Sequence, residues 1–335
     1  MRSLDAAGDA ELIDRFEEHL RGFVDRTARS NPVYRQIAYH LGYGGPGPAR
    51  HGKRLRPRLV LASSAACGGS PEAALPACAA VELLHNYSLI HDDIEDGDKI
   101  RHGRETVWSA YGLAHGVNAG DLLGALALLA LSPVGAEIGP HAAFAMTVDL
   151  AAANKRMCEG QALDIAFENG EHATVEAYLE MIGGKTAALF ACAGSLGARS
   201  ARGRAADVER CADIGRLYGL AFQIQDDVFG IWGDTRETGK SADGDLARRK
   251  KSYPVIWAME HDPAGAGAAL TEAFAKPGAM LDTPIVDSLR VALENAGARA
   301  AAVAASDDCY ARAVTRATGL PALESFLDSW RLRRY

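Results

Sequence analysis

Two aspartates at the end of one long apolar stretch have the spacing of a divalent-metal site. The stretch runs from Ala77 to Asp96 without proline or glycine, so it is expected to be a helix. On that helix Asp92 and Asp96 lie one turn apart, roughly 6 Å, on the same stripe as His85. Carboxylates so close repel each other unless a cation lies between them. The pattern is therefore typical either of a solvated helix end or of a site for a hard metal ion.

A second stretch far along the chain has the same construction. An apolar segment from Val208 onward leads into Asp226 and Asp227. The loop that follows carries three charged candidates, Lys240, Asp245 and Lys250. One acidic helix end is weak evidence of a site, whereas two of the same design indicate a shared role. Because Mg²⁺ prefers a few carboxylates together with phosphate oxygens of a substrate, these residues predict Mg²⁺-dependent chemistry on a diphosphate.

With these two motifs the chain resembles the trans-isoprenyl diphosphate synthases, the polyprenyl synthetase family that includes farnesyl and geranylgeranyl diphosphate synthases. The resemblance covers nearly the whole chain, from around Gly52 to Tyr253. The stretch 92–96 fits the family's first aspartate-rich motif, and 226–230 fits the second. The resemblance implies an all-α isoprenoid synthase fold, a single-domain helical bundle around a central apolar cavity. It also implies a homodimer, with 122–131 as a contact helix.

The reaction implied by the resemblance is a head-to-tail condensation. An allylic diphosphate (dimethylallyl, geranyl or farnesyl) ionises, and the double bond of isopentenyl diphosphate attacks the cation. The family's pattern implies three Mg²⁺ ions per active site, which stabilise the departing diphosphate electrostatically. By analogy, the direct metal ligands would be Asp92, Asp96 and Asp226. The aspartates that hold metal-bound waters or orient these ligands would be Asp93, Asp227 and Asp245.

The same analogy assigns the residues around the two substrates. The allylic diphosphate would be bound by Arg101, Lys185 and Lys240, with Lys250 nearby in the family's closing loop. Isopentenyl diphosphate would be bound apart from the metals by Lys53, Arg56 and His85. The reacting centre would be lined by the polar residues Gln161, Asp164, Thr186 and Gln223. The alternatives are a solvated basic helix start for the first cations and ordinary helix-packing roles for the polar residues.

Three positions depart from the family's pattern: His102, Gly230 and His51, which replaces a glycine before Lys53 and has no physical explanation. His102 stands where a second arginine usually assists isopentenyl diphosphate, so binding there is expected to weaken or to depend on pH. Gly230 stands where the second motif usually ends in aspartate. That position is not a principal metal ligand, and Asp234 could compensate in part.

Product length in this family depends on the depth of the apolar tunnel below the first motif. Tyr87 occupies the position that usually forms the floor of the tunnel in this family, whereas the smaller Ser88 leaves room in the tunnel for the growing chain. The first motif also lacks the two-residue insertion of bacterial farnesyl synthases. These features favour a C20 product, geranylgeranyl diphosphate, with farnesyl diphosphate or a C25 product as alternatives.

Two other classes of protein compete with this interpretation. A class I terpene cyclase also ionises a diphosphate on an aspartate-rich helix, but it usually carries an Asn/Ser/Glu metal motif and does not need Lys53, Arg56 and His85. A non-catalytic synthase subunit generally loses one acidic motif, and this chain has both.

Helices must position all of these residues. Ser70 and Pro71 predict the start of the first acidic helix, and further helical patterns cover 140–168, 174–197 and 205–231. No alternation is long enough to build a sheet, and no linker divides the chain, so residues 1–335 are expected to form one domain with N-terminal helices and a loop over about 1–50.

Composition narrows the possible partners and the compartment. The 335 residues carry a formal net charge of -7, which argues against nucleic acid as the main partner. Six cysteines without a Cys-x-x-Cys pair indicate reduced thiols in a cytoplasmic protein. The longest apolar run, 122–131, is half the length of a membrane span, so no transmembrane segment is expected.

Overall fold

Helices account for most of the residues that the computed structural model describes, which are 6–28, 30–43, 52–170, 173–233, 244–275, 280–329 and 331. In chain order the helices are α1 (Ala6–Thr27), α2 (Val33–His40), α3 (Leu55–Ala66), α4 (Pro71–Glu95), α5 (Val107–Tyr111), α6 (Leu113–Leu129), α7 (Val134–Ile138), α8 (Pro140–Glu168), α9 (Val175–Ile182), a π-helical turn (Gly183–Ala187), α10 (Ala188–Ser200), α11 (Ala205–Trp232), α12 (Gly244–Ala247), α13 (Tyr253–His261), α14 (Ala266–Phe274), α15 (Thr283–Asn295), α16 (Ala298–Ala317) and α17 (Pro321–Ser329).

The described residues form two compact units. The first contains those among 1–154, 189–215 and 317–330, and the second contains those among 155–188, 216–316 and 331–335. The boundaries fall within α8 and α11, so each of these long helices contributes to both units.

The first unit is organised around α4, which packs against α1, α3 and α6. Ser70 begins this helix by accepting a hydrogen bond from the backbone N–H of Ala73, with Pro71 in the first turn. The helix is buried along most of its length, and Leu83 is fully buried. The helix ends at Glu95, and Gly97, two residues later, has a φ of 68°, which is typical of a residue that stops a helix. The predicted acidic helix is thus confirmed.

A two-stranded hairpin follows α4 and is the one pair of strands among the described residues. Ile100–Arg101 (β1) pairs antiparallel with Arg104–Glu105 (β2). The turn between them consists of His102 and Gly103, with φ values of 51° and 75°. Positive φ at both central residues is the geometry of the tight hairpin turn that matches strand twist. Strands of two residues are too short to leave an alternating sequence pattern.

The second unit has two buried clusters. One lies where α11, α12, α13, α14 and α15 meet, and it includes Ile231, Leu246 and Val255. The other lies between α9, α11, α13 and α16, and it includes Tyr178, Ile224 and Ile256. Together they fix the positions of α11 and α12 within this unit.

By length and composition alone, the 26-residue stretch Leu113–Ile138 could cross a membrane. The structure divides this stretch into α6 and α7, and 44% of its most apolar window is buried in the protein. Leu123 and Leu126 on α6 belong to the core. A core helix passes the same test, so the structure does not support a membrane span there.

Candidate active site

The first acidic motif lies at the end of α4, and its aspartates point in different directions. Asp93 is 1% exposed and accepts a hydrogen bond from Arg101 Nε at 2.7 Å. Burial raises the pKa of Asp93 to about 6, and the Arg101 guanidinium opposes that rise. Asp92 is half-buried and Asp96 is exposed. The motif therefore presents one carboxylate to the hairpin and leaves the predicted metal ligands, Asp92 and Asp96, on the accessible side of the helix.

The hairpin is tied to α4 by further contacts. Trp108 Nε1 donates to the carbonyl oxygens of Asp93 and Asp98, each at 2.8 Å. Thr106 Oγ1 donates to the same Asp98 carbonyl at 2.8 Å. These bonds hold Arg101, which the sequence assigned to the allylic diphosphate, in an ion pair with Asp93.

The basic residues at the start of α3 have three different environments. Lys53 is exposed, whereas the Arg56 guanidinium lies 4.4 Å from the centre of the Phe190 ring. Arg54 has a left-handed φ of 52°, and its buried side chain pairs with Glu17 at 2.5 Å and with Glu82. The sequence did not single out Arg54, although its place between the two predicted cations was visible.

His85 lies near this cluster, as expected from the sequence. Burial lowers its pKa well below the ordinary value, and the charges of Arg56 and Arg101 lower it further. His85 is thus neutral at pH 7 and provides hydrogen bonds rather than charge.

His40, at the end of α2, was missed by the sequence reasoning because nothing near it resembles a motif. Its Nε2 is buried without a hydrogen-bond partner.

His40 should make folding stability depend on pH. Burial, followed by the nearby Arg101 charge, lowers its pKa to about 3 from the ordinary 6.5. The unfolded chain therefore takes up a proton as the pH falls below 6.5 while the folded protein does not, so stability is retained above 6.5 and lost below it. We expect His40→Gln to remove a slope of about 1.4 kcal/mol per pH unit between pH 6 and 4, measured by urea unfolding. The exposed His141, replaced in the same way, is the control; an unchanged slope in His40→Gln would contradict the prediction.

Tyr87, the predicted tunnel floor, packs against α6. A Cβ atom on Gly124 would lie 3.4 Å from the Tyr87 ring. The Tyr87 ring is also 4.7 Å from the ring of His91, whose Nε2 lies 3.5 Å from Asp121. The Tyr87 ring therefore lies against α6 at Gly124, at a distance where a Cβ atom would make ordinary van der Waals contact.

In the second unit, α8 and the π-helical turn approach each other through glycines. A Cβ on Gly160 would lie 2.7 Å from the Met181 carbonyl oxygen, and one on Gly184 would lie 2.6 Å from the Arg156 carbonyl oxygen. Single π-helical turns are frequent at functional sites because they insert one extra residue into a helix. This turn carries Lys185 and Thr186. The sequence predicted one continuous helix over 174–197, so the π-helical turn corrects that expectation.

Lys185 and Thr186 both contact residues that the sequence assigned to the site. Lys185 Nζ donates to Asp164 Oδ2 at 2.5 Å. Thr186 Oγ1 donates to Gln223 Oε1 at 2.8 Å, and Gln223 Nε2 donates to Asp227 Oδ1 at 3.0 Å. Gln161 lies on the same helix as Asp164, one residue after Gly160. The π-helical turn therefore contacts Asp164 through Lys185 and Gln223 through Thr186, and these side chains form the polar group of the second unit.

Replacing Gly160 with alanine should disrupt this group. The added methyl would meet backbone atoms of the π-helical turn, which cannot rotate away as a side chain can. We expect a loss of about 1–3 kcal/mol in unfolding free energy, the usual cost of overpacking, together with a lower kcat. Gly183→Ala is the matched control, because a Cβ there has no neighbour within 4 Å. Equal effects of the two substitutions on urea unfolding and kcat would contradict the prediction.

Asp227 is the most completely bonded carboxylate of the second motif. It is 1% exposed and accepts hydrogen bonds from Tyr178 Oη, from Gln223 and, at 2.8 Å, from the Tyr253 backbone N–H. Burial raises its pKa to about 6, and the Lys250 charge opposes the rise. Neither tyrosine was recognised from the sequence, because each lies far from the motif along the chain. Asp226, by contrast, is exposed.

Lys250 lies among the carboxylates of this unit. Burial disfavours its charged form, but Asp245 and Asp227 outweigh burial and hold its pKa above the ordinary value. Lys240 and Asp234 lie outside the described residues, so their predicted roles stay predictions. Asp245, on α12, lies directly against Gly230.

Mg²⁺ fits these donor sets only in combination with a substrate. Among the residues that the structure describes, no group of three or more His, Cys, Asp or Glu side chains converges to hold a metal ion. Asp92 and Asp96 are carboxylates one turn apart, and Mg²⁺ typically takes one or two carboxylates plus the phosphate oxygens of a substrate. The residues therefore suit a magnesium–diphosphate complex better than a permanent metal centre.

A sequence model of the polyprenyl synthetase family matches residues 48–281. The chain belongs to this family. The geranylgeranyl diphosphate synthase of Mycobacterium tuberculosis is 38% identical over 275 residues, covering 80% of this chain and 77% of the relative. The (2E,6E)-farnesyl diphosphate synthase of Mycobacterium bovis is also 38% identical, over 75% of this chain and 66% of its own length. A polyprenyl synthetase structure from Streptomyces coelicolor has a TM-score of 0.85 at 34% identity, covering 96% of this chain and 98% of that one.

Membership of the family confirms the predicted all-α isoprenoid synthase fold. It also identifies the protein as an enzyme, a short-chain trans-prenyltransferase. Polyprenyl synthetases depend on Mg²⁺ and use prenyl diphosphate substrates, in agreement with the chemistry expected from the aspartates.

Proposed function

We propose that this prenyltransferase condenses isopentenyl diphosphate with an allylic diphosphate and releases geranylgeranyl diphosphate. The observation that carries the proposal is the presence, in the first unit, of two different kinds of anion-binding residues. Asp92 and Asp96 suit a diphosphate bound through Mg²⁺, whereas Arg56 and His85 suit one bound without metal. A reaction between two diphosphates, only one of which ionises, needs both kinds.

The protein's own residues prepare the reaction by binding and orienting the substrates. Asp92, Asp96 and Asp226 would hold magnesium, with three ions per active site, and the metal would supply electrostatic stabilisation of the departing diphosphate. Asp93, Asp227 and Asp245 orient these ligands. Lys53, Arg56, His85 and His102 bind isopentenyl diphosphate, and Arg101, Lys185, Lys240 and Lys250 bind the allylic diphosphate.

Polar residues of the second unit stabilise the allylic cation. The hydrogen bond from Thr186 Oγ1 to Gln223 Oε1 and the one from Gln223 Nε2 to Asp227 fix the side-chain amide of Gln223. Fixed oxygen dipoles can stabilise a positive charge without reorganising during the reaction. Gln161 and Asp164 belong to the same part of the site, and Tyr87 limits the length of the product.

The proposed assembly is a homodimer of chains whose 335 residues each act as one domain. Apolar side chains are exposed on α6 and on the first half of α8, including Leu113, Leu128, Phe144 and Val148 at 57%, 42%, 68% and 48%. Exposed apolar residues of this number on one unit favour burial against a second copy. Sedimentation at micromolar concentration tests this expectation. All six cysteines are free thiols, which supports a cytoplasmic location.

The experiment that tests the reaction uses purified protein, Mg²⁺ and radiolabelled isopentenyl diphosphate. Dimethylallyl, geranyl and farnesyl diphosphates are supplied one at a time, and dephosphorylated products are separated by chromatography. We expect linear C20 product. A C15 or C25 product would revise the chain length alone. Cyclic hydrocarbon formed without isopentenyl diphosphate would indicate a terpene cyclase, and no product from any starter would indicate a non-catalytic subunit.

A further inference from the structure

Arg54, which lies between the two cations proposed to bind isopentenyl diphosphate, has an unusual backbone conformation. Its φ of 52° and ψ of 38° lie in the left-handed region, which most side chains adopt at an energetic cost. Such residues persist where the surrounding structure holds them, and they cluster at functional sites. The turn at Arg54 sets the direction in which the chain leaves Lys53 and enters α3, whose first turn carries Arg56.

The Arg54 side chain is held by carboxylates from two other helices. Its Nε donates to Glu17 Oε1 of α1 at 2.5 Å, and its Nη1 donates to Glu82 Oε1 of α4. The side chains of Arg54, Glu17 and Glu82 are only 8%, 14% and 5% exposed. Asn86 Nδ2 donates to the same Glu82 oxygen at 3.1 Å. Burial disfavours the charge of Arg54, but Glu82 and Glu17 outweigh burial and hold its pKa above the ordinary value.

A second arginine ties the same segment to α1. Arg58 Nε donates to the Lys53 carbonyl oxygen at 2.9 Å, and the Arg58 guanidinium pairs with Asp9. Carboxylates of the protein thus engage Arg54 and Arg58. Of the other two cations, Lys53 is exposed and Arg56 lies against an aromatic ring. The helix that supplies both anchoring carboxylates, α1, lies outside residues 48–281, which the sequence model of the family matches.

These ion pairs lie beside the third residue proposed for isopentenyl diphosphate. His85 follows Glu82 by three positions, so both lie on one face of α4. Burial lowers the pKa of His85 most, and the charges of Arg56 and, more weakly, Arg54 lower it further. A movement of the start of α3 would therefore change the position of its cations relative to His85.

We propose that Arg54 is a positioning residue for isopentenyl diphosphate: Glu17 and Glu82 hold it so that the cations on either side of it face the substrate. This inference rests on the proposed function. The allylic diphosphate is proposed to bind through magnesium and other cations. Loosening the ion pairs of Arg54 should therefore weaken the binding of one substrate and leave the other unchanged.

The test measures kcat and the KM of each substrate in variants of the full chain. Arg54→Lys keeps the charge, but an ammonium lacks the planar fork that reaches two carboxylates at once. Glu17→Gln removes the charge of the carboxylate on α1 and nearly keeps its shape. We expect each variant to raise KM for isopentenyl diphosphate about tenfold, because the competent orientation is populated less, with kcat and the allylic KM within about twofold of wild type. The double variant should resemble the single variants, since both changes break one contact.

Arg15→Lys and Glu18→Gln are the matched controls. Arg15 also links α1 to α4, through Glu72, but the side chains of this pair are 40% and 60% exposed. Glu18 is exposed and adjoins Glu17. Both controls should keep KM for isopentenyl diphosphate within about twofold of wild type, as surface changes usually do. A tenfold rise in Arg15→Lys would show that docking of α1 in general, rather than Arg54, controls binding, and would overturn the inference.

The remaining outcomes separate the inference from the proposed function. The inference is overturned if Arg54→Lys and Glu17→Gln leave KM for isopentenyl diphosphate unchanged, if they raise both KM values equally, or if their effects multiply in the double variant. Wild-type protein that forms no product would instead contradict the proposed function. Should Arg54→Lys fail to fold by circular dichroism, the KM values of Glu17→Gln decide: a selective rise supports the inference, and no rise overturns it.

Discussion

Replacing Asp92 with asparagine is expected to lower kcat by about 100- to 1,000-fold, the usual cost of losing one preorganised electrostatic group in an active site. Asp92 is proposed to bind magnesium, and asparagine keeps the shape of the side chain while removing its charge. The same substitution should leave stability unchanged or raise it slightly, because Asp92 and Asp96 carry like charges one helical turn apart. Activity and stability are therefore expected to respond differently.

The measurement combines steady-state kinetics at saturating substrates with urea unfolding. Glu95→Gln is a matched control, since Glu95 is an exposed acidic residue of the same helix with no assigned role. It should retain kcat within about twofold, because Glu95 is an exposed residue that is not among the proposed metal ligands. A kcat for Asp92→Asn equal to that of Glu95→Gln would remove Asp92 from the proposed metal ligands.

Replacing Asp227 with alanine is expected to lower the unfolding free energy of the protein by disrupting the hydrogen bonds around this carboxylate. The change removes the acceptor of three hydrogen bonds, those from Tyr178, Gln223 and the Tyr253 N–H. It also removes a carboxylate that helps to keep the half-buried Lys250 charged. Leaving a buried charge and buried donors without partners costs about 3–5 kcal/mol.

Its neighbour Asp226 provides the comparison. Asp226 is exposed, so Asp226→Ala should change the unfolding free energy by no more than about 0.5 kcal/mol, while it should lower kcat as Asp92→Asn does. The unfolding free energies of the two variants, measured by urea unfolding, test this difference. If Asp227→Ala is as stable as Asp226→Ala, the hydrogen bonds to Asp227 do not hold the unit together.

The sequence predicted the helices well where local patterns decide the outcome. Ser70 and Pro71 predicted the start of α4, and the pattern over 140–168 predicted both ends of α8. The π-helical turn was not predictable, because residues 174–197 have the pattern of one helix. Only the close approach of Gly160 to Gly184, which are far apart in sequence, accounts for the inserted residue.

The residue types of the candidate site were predictable, but their orientations were not. The resemblance gave Asp93 and Asp227 different roles from Asp92 and Asp226, but the sequence does not show that Asp93 and Asp227 are buried. The distinction comes from partners elsewhere in the chain: Arg101 for Asp93, and two tyrosines for Asp227. For the same reason the sequence shows Gly230 only as a missing carboxylate, and only the structure shows that it lies against Asp245.

The conformation of the hairpin turn bears on the presence of histidine at position 102, which substrate binding alone does not explain. Position 102 has a φ of 51°, a left-handed conformation that most side chains adopt at an energetic cost and that histidine adopts several times more readily than average. The arginine usual in the family would carry a permanent charge there but lacks histidine's preference for this conformation. At this position backbone conformation favours histidine and affinity for an anion favours arginine.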